Sequence, residues 1–213
     1  MAVISVSGFI GSGKDSVADY LISEHGYKKL SFAGSLKDAV SVIFGWDREL
    51  LDGVSVESRV WREQVDPWWA KRLKIPDLSP RWVLQQWGTE VCRTHFHMDI
   101  WVASIENKLR SRTDNVVITD SRFKNELRAI KKVSGTTIRV HRGVEPVWYD
   151  SAVDFNRGPD GNSGWAIGKG VLDRNHVHAS EYSSVGLKYD HHIQNDGSLP
   201  DLYQATEKII SQL

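Results

Sequence analysis

Cysteine is almost missing from this chain: Cys92 is the one thiol in 213 residues. A single thiol cannot close an intramolecular disulfide, so no disulfide framework holds the fold, and the usage fits a reducing cytoplasm. Apolar runs long enough to span a bilayer are absent, so a membrane partner is not expected. The opening "MAVISVSG" has no basic region before its apolar stretch, so no signal peptide is expected. An excess of either charge is missing too: Lys plus Arg and Asp plus Glu each number 27. That balance removes any chain-wide pull toward nucleic acid, while leaving room for a local arginine cluster that holds a small anion. Internal repeats are absent. Of the eight histidines, those at 95, 97, 176, 178, 191 and 192 invite a metal reading, but none forms a helical His-x₃₋₅-His pair beside a carboxylate, so zinc is not expected.

What is present is an alternation of strand and helix. Residues 2–7 ("AVISVS") read as a β-branched strand, and 14–25 as a helix with Val17, Ala18, Leu21 and Ile22 on one side. "KKLSFA" (28–33) reads as a second strand. "SLKDAVSVIFG" follows as a helix, with Ser35 as N-cap and Gly45 as stop. "IWVASIENKL" is helical, "NVVITD" (115–120) a buried strand, and "RFKNELRAIKKVSG" an amphipathic helix ended by Gly135. "TTIRVH" and the weaker "YDHHIQN" complete the strands, and "SLPDLYQATEKIISQL" closes the chain as a helix. The pattern predicts an α/β fold, one domain with a central parallel sheet of about five strands flanked by helices. Its core is expected over 1–46, 113–142 and 176–213. The interruptions are a charged, Trp-rich stretch at 47–78, helical in part, within an insert expected over 47–112, and a glycine-dense segment at 143–175, the latter expected to be irregular. Most of the nine tryptophans fall in the insert, where such rings suit either a core or a pocket for a flat ring.

"GFIGSGKDS" satisfies G-x-x-x-x-G-K between an expected strand and an expected helix. Gly8, Gly11 and Gly13 allow successive backbone N–H groups, Ser12 included, to turn inward around phosphate oxygens. The helix starting there aims its positive end at the same anion, and Lys14 reaches for the β- and γ-phosphates. The residue after that lysine is usually Ser or Thr, whose hydroxyl binds Mg²⁺. Here it is Asp15, also a hard oxygen ligand, with Ser16 next to it; the metal assignment stays open between the two.

Two further absences narrow the chemistry. The strand "VVITD" ends in Asp120-Ser121-Arg122 without the adjacent Glu that prepares water in motor ATPases, and Asn-Lys-x-Asp for guanine is missing. Both favour transfer of phosphate to an acceptor. Transfer needs cations around the acceptor, and Lys37 and Arg122 each follow a strand, where a parallel sheet lines its ligand crevice. Asp120 is read as a metal or acceptor-sugar ligand, against the alternative of capping the helix after it. Residues 81–93 ("RWVLQQWGTEVCR") read as one helix. Trp82, Gln85 and Gln86 lie on one side, Val83, Trp87 and Val91 form a core stripe, and Gly88 marks a close approach. Glu126 is given no role, and His178 with Glu181 is read as a structural or lid-hinge pair.

Taken together, "GKDS", "SFAGSLKDAV", "LLDGVSVESRVWRE", "SPRWVLQQWGTEVCR…DIWV", "VVITDSRFKNE", "HASE" and "NDGS" resemble the phage-type deoxynucleoside monophosphate kinases over most of the chain. An Asp after the loop lysine is usual in that family. The resemblance implies a nucleoside-monophosphate-kinase-like P-loop fold that moves phosphate from ATP, with Mg²⁺, to a deoxynucleoside monophosphate. It places Gly8, Gly11, Gly13, Lys14, Asp15 and Ser16 on ATP and Mg²⁺, and Lys37 on the acceptor phosphate. It places Arg81, Gln85, Gln86, Thr89 and Arg93 in the acceptor pocket, Arg142 at the opening of a lid, and Asn195, Asp196 and Gly197 near adenine. Segment 143–175 is longer than that pattern expects. The implied location is the cytoplasm, that of the host for a phage-encoded chain; a homodimer is left open. Another small-molecule P-loop kinase, of the dephospho-coenzyme A or phosphomevalonate type, and a non-catalytic nucleotide-gated module remain the alternatives.

Overall fold

The computed structural model describes residues 1–158 and 164–213. The chain divides into two compact units, Met1–Leu30 with Ser111–Leu213, and Ser31–Arg110.

The first unit contains the sheet. Its strands are β1 (Val3–Ser7), β2 (Lys28–Leu30), β3 (Val116–Ile118), β4 (Thr136–His141) and β5 (His191–Gln194). All pairings are parallel, in the order β2-β3-β1-β4-β5. Central β1 is buried throughout. Its apolar residues Ile4 and Val6 pack with Val117, Ile138, Val140 and Ile193 and with helix α1 (Lys14–His25) through Val17, Ala18 and Leu21. Buried hydroxyls on β1 are satisfied locally: Ser5 Oγ shares a 2.7 Å hydrogen bond with Ser121 Oγ, and Ser7 Oγ donates to the Ser121 carbonyl. From β1 the chain crosses by α1 to β2 on one side. From β3 it crosses by α8 (Lys124–Lys132) to β4 on the other. The carboxyl end of β1 therefore lies at a topological switch point, where a parallel sheet opens its ligand crevice.

The segment expected to be irregular is mostly helical. Helices α9 (Tyr149–Arg157) and α10 (Gly164–Arg174) pack on each other, with α11 (Ala179–Tyr182) following. Residues 159–163 of that segment lie outside the described part. One of the glycines that suggested irregularity, Gly168, serves packing instead. A Cβ on Gly168 would stand 2.4 Å from the Ser151 carbonyl oxygen, so glycine lets the two helices approach. Ala152, Leu172 and Val185 form the buried centre of this pair. Helix α12 (Leu199–Ile210) closes the chain, capped by Ser198.

The second unit is helical: α2 (Gly34–Phe44), α3 (Arg48–Asp52), α4 (Val56–Glu63), α5 (Pro67–Leu73), α6 (Pro80–Gln85), a π-helix (Gln86–Phe96) and α7 (Ile100–Leu109). It starts before the insert expected at 47–112, because α2 travels with it. Ser35 does not cap α2. The helix begins one residue earlier, and the Ser35 hydroxyl bonds Ser104 Oγ at 2.8 Å. Gly45 does end it, at φ 69°. The tryptophans pack chiefly around Phe44: Trp46 stacks on it at 4.4 Å, and Trp69 and Trp87 stand 4.8 and 5.8 Å away.

The helix expected over 81–93 changes type at Gln86. A π-helix closes i→i+5 bonds and turns less per residue, so the α-periodic stripe does not continue through it. Val83 stays buried, but Val91, expected beside it, is half exposed. The Gly88 carbonyl, left available, accepts from Trp101 Nε1 at 2.8 Å, and a Cβ on Gly88 would press Leu36 at 2.8 Å. The close approach read from Gly88 is thus to neighbouring side chains of its own unit. Among the described residues, no helix is long and apolar enough to cross a membrane.

Candidate active site

The loop joining β1 to α1 is built around its glycines. A Cβ on Gly8 would meet Ser12 Oγ and the Val140 carbonyl oxygen, each at 2.4 Å. Gly13 sits at φ 98°, in the left-handed region, and a Cβ there would stand 2.3 Å from Asn195 Nδ2. No side chain caps α1, so its first N–H groups face the loop with the positive end of the helix. Ser12 Oγ is buried with no hydrogen-bond partner among the described residues. An orphaned hydroxyl inside a glycine cradle at a helix N-terminus is the donor set that a phosphate fits.

Asn195, expected near adenine, braces this loop. Its Nδ2 donates to the Ser12 carbonyl at 2.8 Å, and its backbone N–H donates to the His141 carbonyl at the end of β4. Asp196 holds the start of the next segment, accepting from Gly143 N–H at 2.8 Å and from Gln194 Nε2 at 2.6 Å. The Gly143 backbone bond, followed by Gln194, holds its carboxyl below the usual range. Gly197 lies against Asp201, whose carboxylate a Cβ would crowd at 2.7 Å.

Lys14 Nζ donates to Asp15 Oδ2 at 3.1 Å, and Lys29 Nζ lies 3.8 Å from the other oxygen. Partial burial pushes the Asp15 carboxyl up, but Lys14, Lys29 and a Thr119 hydrogen bond outweigh it and leave it below the ordinary value. Asp15 is therefore ionised at neutral pH and exposed, as a hard oxygen ligand must be; Ser16 is half-buried beside it.

Gly8, Lys14, Thr119, Arg122, Arg139 and Glu181 line one cleft at the carboxyl ends of the strands. Arg122 was expected there; Arg139 and Glu181 were not. Arg122 Nη1 donates to Glu181 Oε1 at 2.9 Å and to the Ser180 carbonyl at 3.3 Å, and Arg139 Nη2 pairs with Glu145 Oε1. The missed signal was a charged side chain, Arg139, in the middle of the otherwise buried-type strand "TTIRVH". Asp120 is half-buried just past β3. The helix after it is capped by a residue given no role in the sequence reading. Glu126, only 1% exposed, turns its carboxylate back to accept from the Arg122 and Phe123 N–H groups at 2.6 and 3.1 Å. His178 caps α11 through Nδ1, accepting from Ser180 N–H. Arg142 is exposed, near enough to Asp196 to lower its carboxyl.

The other expected site residues lie in the second unit. Lys37 Nζ pairs with Asp52 Oδ1 at 2.9 Å, and Arg48 bridges Asp52 and Asp38. Arg81 pairs with Glu63 at 3.3 Å. Gln85, Gln86 and Thr89 are half-buried around the change from α6 to the π-helix. Arg93, by contrast, is 5% exposed, and its Nη1 donates to the Met98 carbonyl at 3.4 Å.

No protein-family model matches the chain. It is 30% identical over 156 residues to "Putative deoxynucleotide monophosphate kinase" of Acanthamoeba polyphaga mimivirus, across 67% of this chain and 75% of that protein. Solved structures similar to it include the dephospho-CoA kinase from Campylobacter jejuni, with a TM-score of 0.42 and 17% identity over 99% of this chain and 96% of that one. Another is the shikimate kinase from Acinetobacter baumannii in complex with shikimate, with a TM-score of 0.41 and 14% identity over 100% of this chain and 94% of that one. Structural likenesses this low carry no argument about activity. The glycine cradle, its lysine and the parallel sheet beneath them define a P-loop kinase, a nucleotide-binding phosphotransferase. Within that class, the chain belongs to the deoxynucleotide monophosphate kinase family of the mimiviral relative.

Proposed function

We propose that this chain transfers the γ-phosphate of ATP to a deoxynucleoside monophosphate, giving ADP and the diphosphate. The observation that carries the reading is the loop: glycines whose Cβ atoms would fill it, an orphaned Ser12 hydroxyl and Lys14 at the start of α1. The acceptor class rests on the mimiviral relative and on the motif resemblance.

The work is positioning and charge neutralisation. Gly8, Gly11, Ser12 and Gly13 cradle the donor phosphates through backbone N–H groups. Lys14 leaves Asp15 for the β- and γ-oxygens, and Arg122 neutralises charge on the moving phosphoryl group. Arg142 adds a cation from the segment pinned by Asp196. Asp15, with Ser16 beside it, would hold Mg²⁺, which supplies a positive charge shared between phosphate oxygens. Asp120 would help to hold the same cation or hydrogen-bond the acceptor sugar. Asn195, Asp196 and Gly197 border the nucleotide base while bracing the loop. In the second unit, Lys37 and Arg81 take the acceptor phosphate, exchanging the carboxylates of Asp52 and Glu63 for it. Gln85, Gln86 and Thr89 read the base edge from the junction of α6 and the π-helix, and buried Arg93 lines the same acceptor pocket. A general base is unnecessary, because the acceptor phosphate is already ionised at neutral pH.

Lys14→Ala removes the cation without touching the cradle's backbone. ADP formation should fall by about a hundredfold or more, the scale of one transition-state contact, with an unchanged far-UV circular dichroism spectrum. Turnover within twofold of the unmodified chain would sink the reading.

A further inference from the structure

We propose that Glu145 and Glu181 are internal competitors for the phosphate, occupying Arg139 and Arg122 until a polyphosphate displaces them. The proposal rests on the phosphate-loop reading above.

Arg122 and Arg139 line the same cleft as Gly8 and Lys14. Each points a guanidinium nitrogen at a carboxylate: Arg122 at Glu181 at 2.9 Å, Arg139 at Glu145. A carboxylate presents the guanidinium fork with the same paired oxygens as a phosphate, but with less charge. Both pairs are therefore open to exchange by a polyphosphate. The Glu145 side is also incompletely satisfied. Its Oε2 is buried without a hydrogen-bond partner among the described residues, while His141 Nε2 stands 3.5 Å from Oε1. A carboxylate with one orphaned oxygen is held less firmly than one fully bonded.

The two glutamates bracket one structural element. Glu145 precedes α9, and Glu181 lies in α11 after α10. That helical pair is thus fastened at both ends to arginines of the cleft. It is also seated on the loop itself, since Phe9 packs edge-on against Trp148 and Tyr149 at 5.6 and 6.3 Å. One ligand, by taking both arginines, unfastens both ends. Until then two carboxylates stand against an incoming anion, and the apparent affinity is scaled down by the fraction of time the arginines are free of the glutamates.

Calorimetric titration with ATP and with inorganic tripolyphosphate tests this on the full chain. Glu145→Gln and Glu181→Gln keep shape and remove charge. Each should tighten tripolyphosphate binding by about threefold, and the double variant by about tenfold, as expected for removing two partial competitors. Unchanged or weaker binding in the double variant overturns the proposal, because glutamates that merely position the arginines would weaken it. Should the variants fail to fold, the unmodified chain serves. Saturating tripolyphosphate should speed amide exchange at Ala179–Tyr182, and unchanged or slower exchange there overturns the proposal equally. The Lys14→Ala variant separates the two readings. If it binds tripolyphosphate normally, the phosphate loop is at fault; if it loses binding while the glutamate variants change nothing, only the competitor idea falls.

Discussion

Gly13 shows how much of the site is decided by single atoms. Its φ of 98° and the 2.3 Å between a would-be Cβ and Asn195 Nδ2 both exclude a side chain. Gly13→Ala would strain the backbone and push Asn195 off the Ser12 carbonyl, so the loop would lose its brace. We expect a loss of about 1–3 kcal/mol in urea unfolding, the cost of a forced left-handed residue, with nucleotide affinity falling alongside. A variant as stable as the unmodified chain would show that the loop relaxes freely. The glycine pattern was legible in the sequence because only glycine fits such positions. The Asn195 brace was not: a bond spanning 183 residues leaves no local spacing to read. Asp15 was legible as a candidate oxygen ligand from its type alone; burial raises its carboxyl, Lys14 beside it in sequence does most to lower it, and Lys29, a neighbour supplied by the fold, adds to that.

Elements were read well where periodicity ruled and poorly where local hydrogen bonding did. α1 and β4 occupy the residues expected, because twelve residues of α-periodicity and six β-rich residues carry strong signals. β2 and β3 are shorter than read, three residues each, since the ladder ends where the partner strand does. The π-helix was invisible: its i→i+5 bonds leave no apolar period, and its consequence was to put Val91 outside. Segment 143–175 was misjudged because glycine signals looseness in sequence yet serves close packing of α9 on α10. Helix α8 offers a test at this scale. Its N-terminus relies on buried Glu126, so Glu126→Ala strands two N–H groups and should cost about 2 kcal/mol, a strong cap's worth, measured as a lower urea midpoint. A midpoint unchanged from that of the original chain would mean that water replaces the carboxylate without loss.

On the scale of the molecule, a chain of zero net charge brings Lys14, Arg122 and Arg139 to one cleft where the strands end. Each of these cations is paired with a carboxylate, of Asp15, Glu181 and Glu145 in turn, and the balanced chain as a whole exerts no pull toward nucleic acid. The Ser31–Arg110 unit carries its own cations, Lys37 and Arg81, each held by a carboxylate. Under the proposed function, the phosphate loop would take the donor and these cations the acceptor phosphate. The most direct measurement is a coupled ADP-release assay with ATP across all deoxy- and ribonucleoside monophosphates, with dephospho-coenzyme A and phosphomevalonate as rival acceptors. The account predicts ADP release above the acceptor-free background with at least one deoxynucleoside monophosphate, and none with the rivals. Release with a rival acceptor alone, or with no acceptor at all, would contradict it.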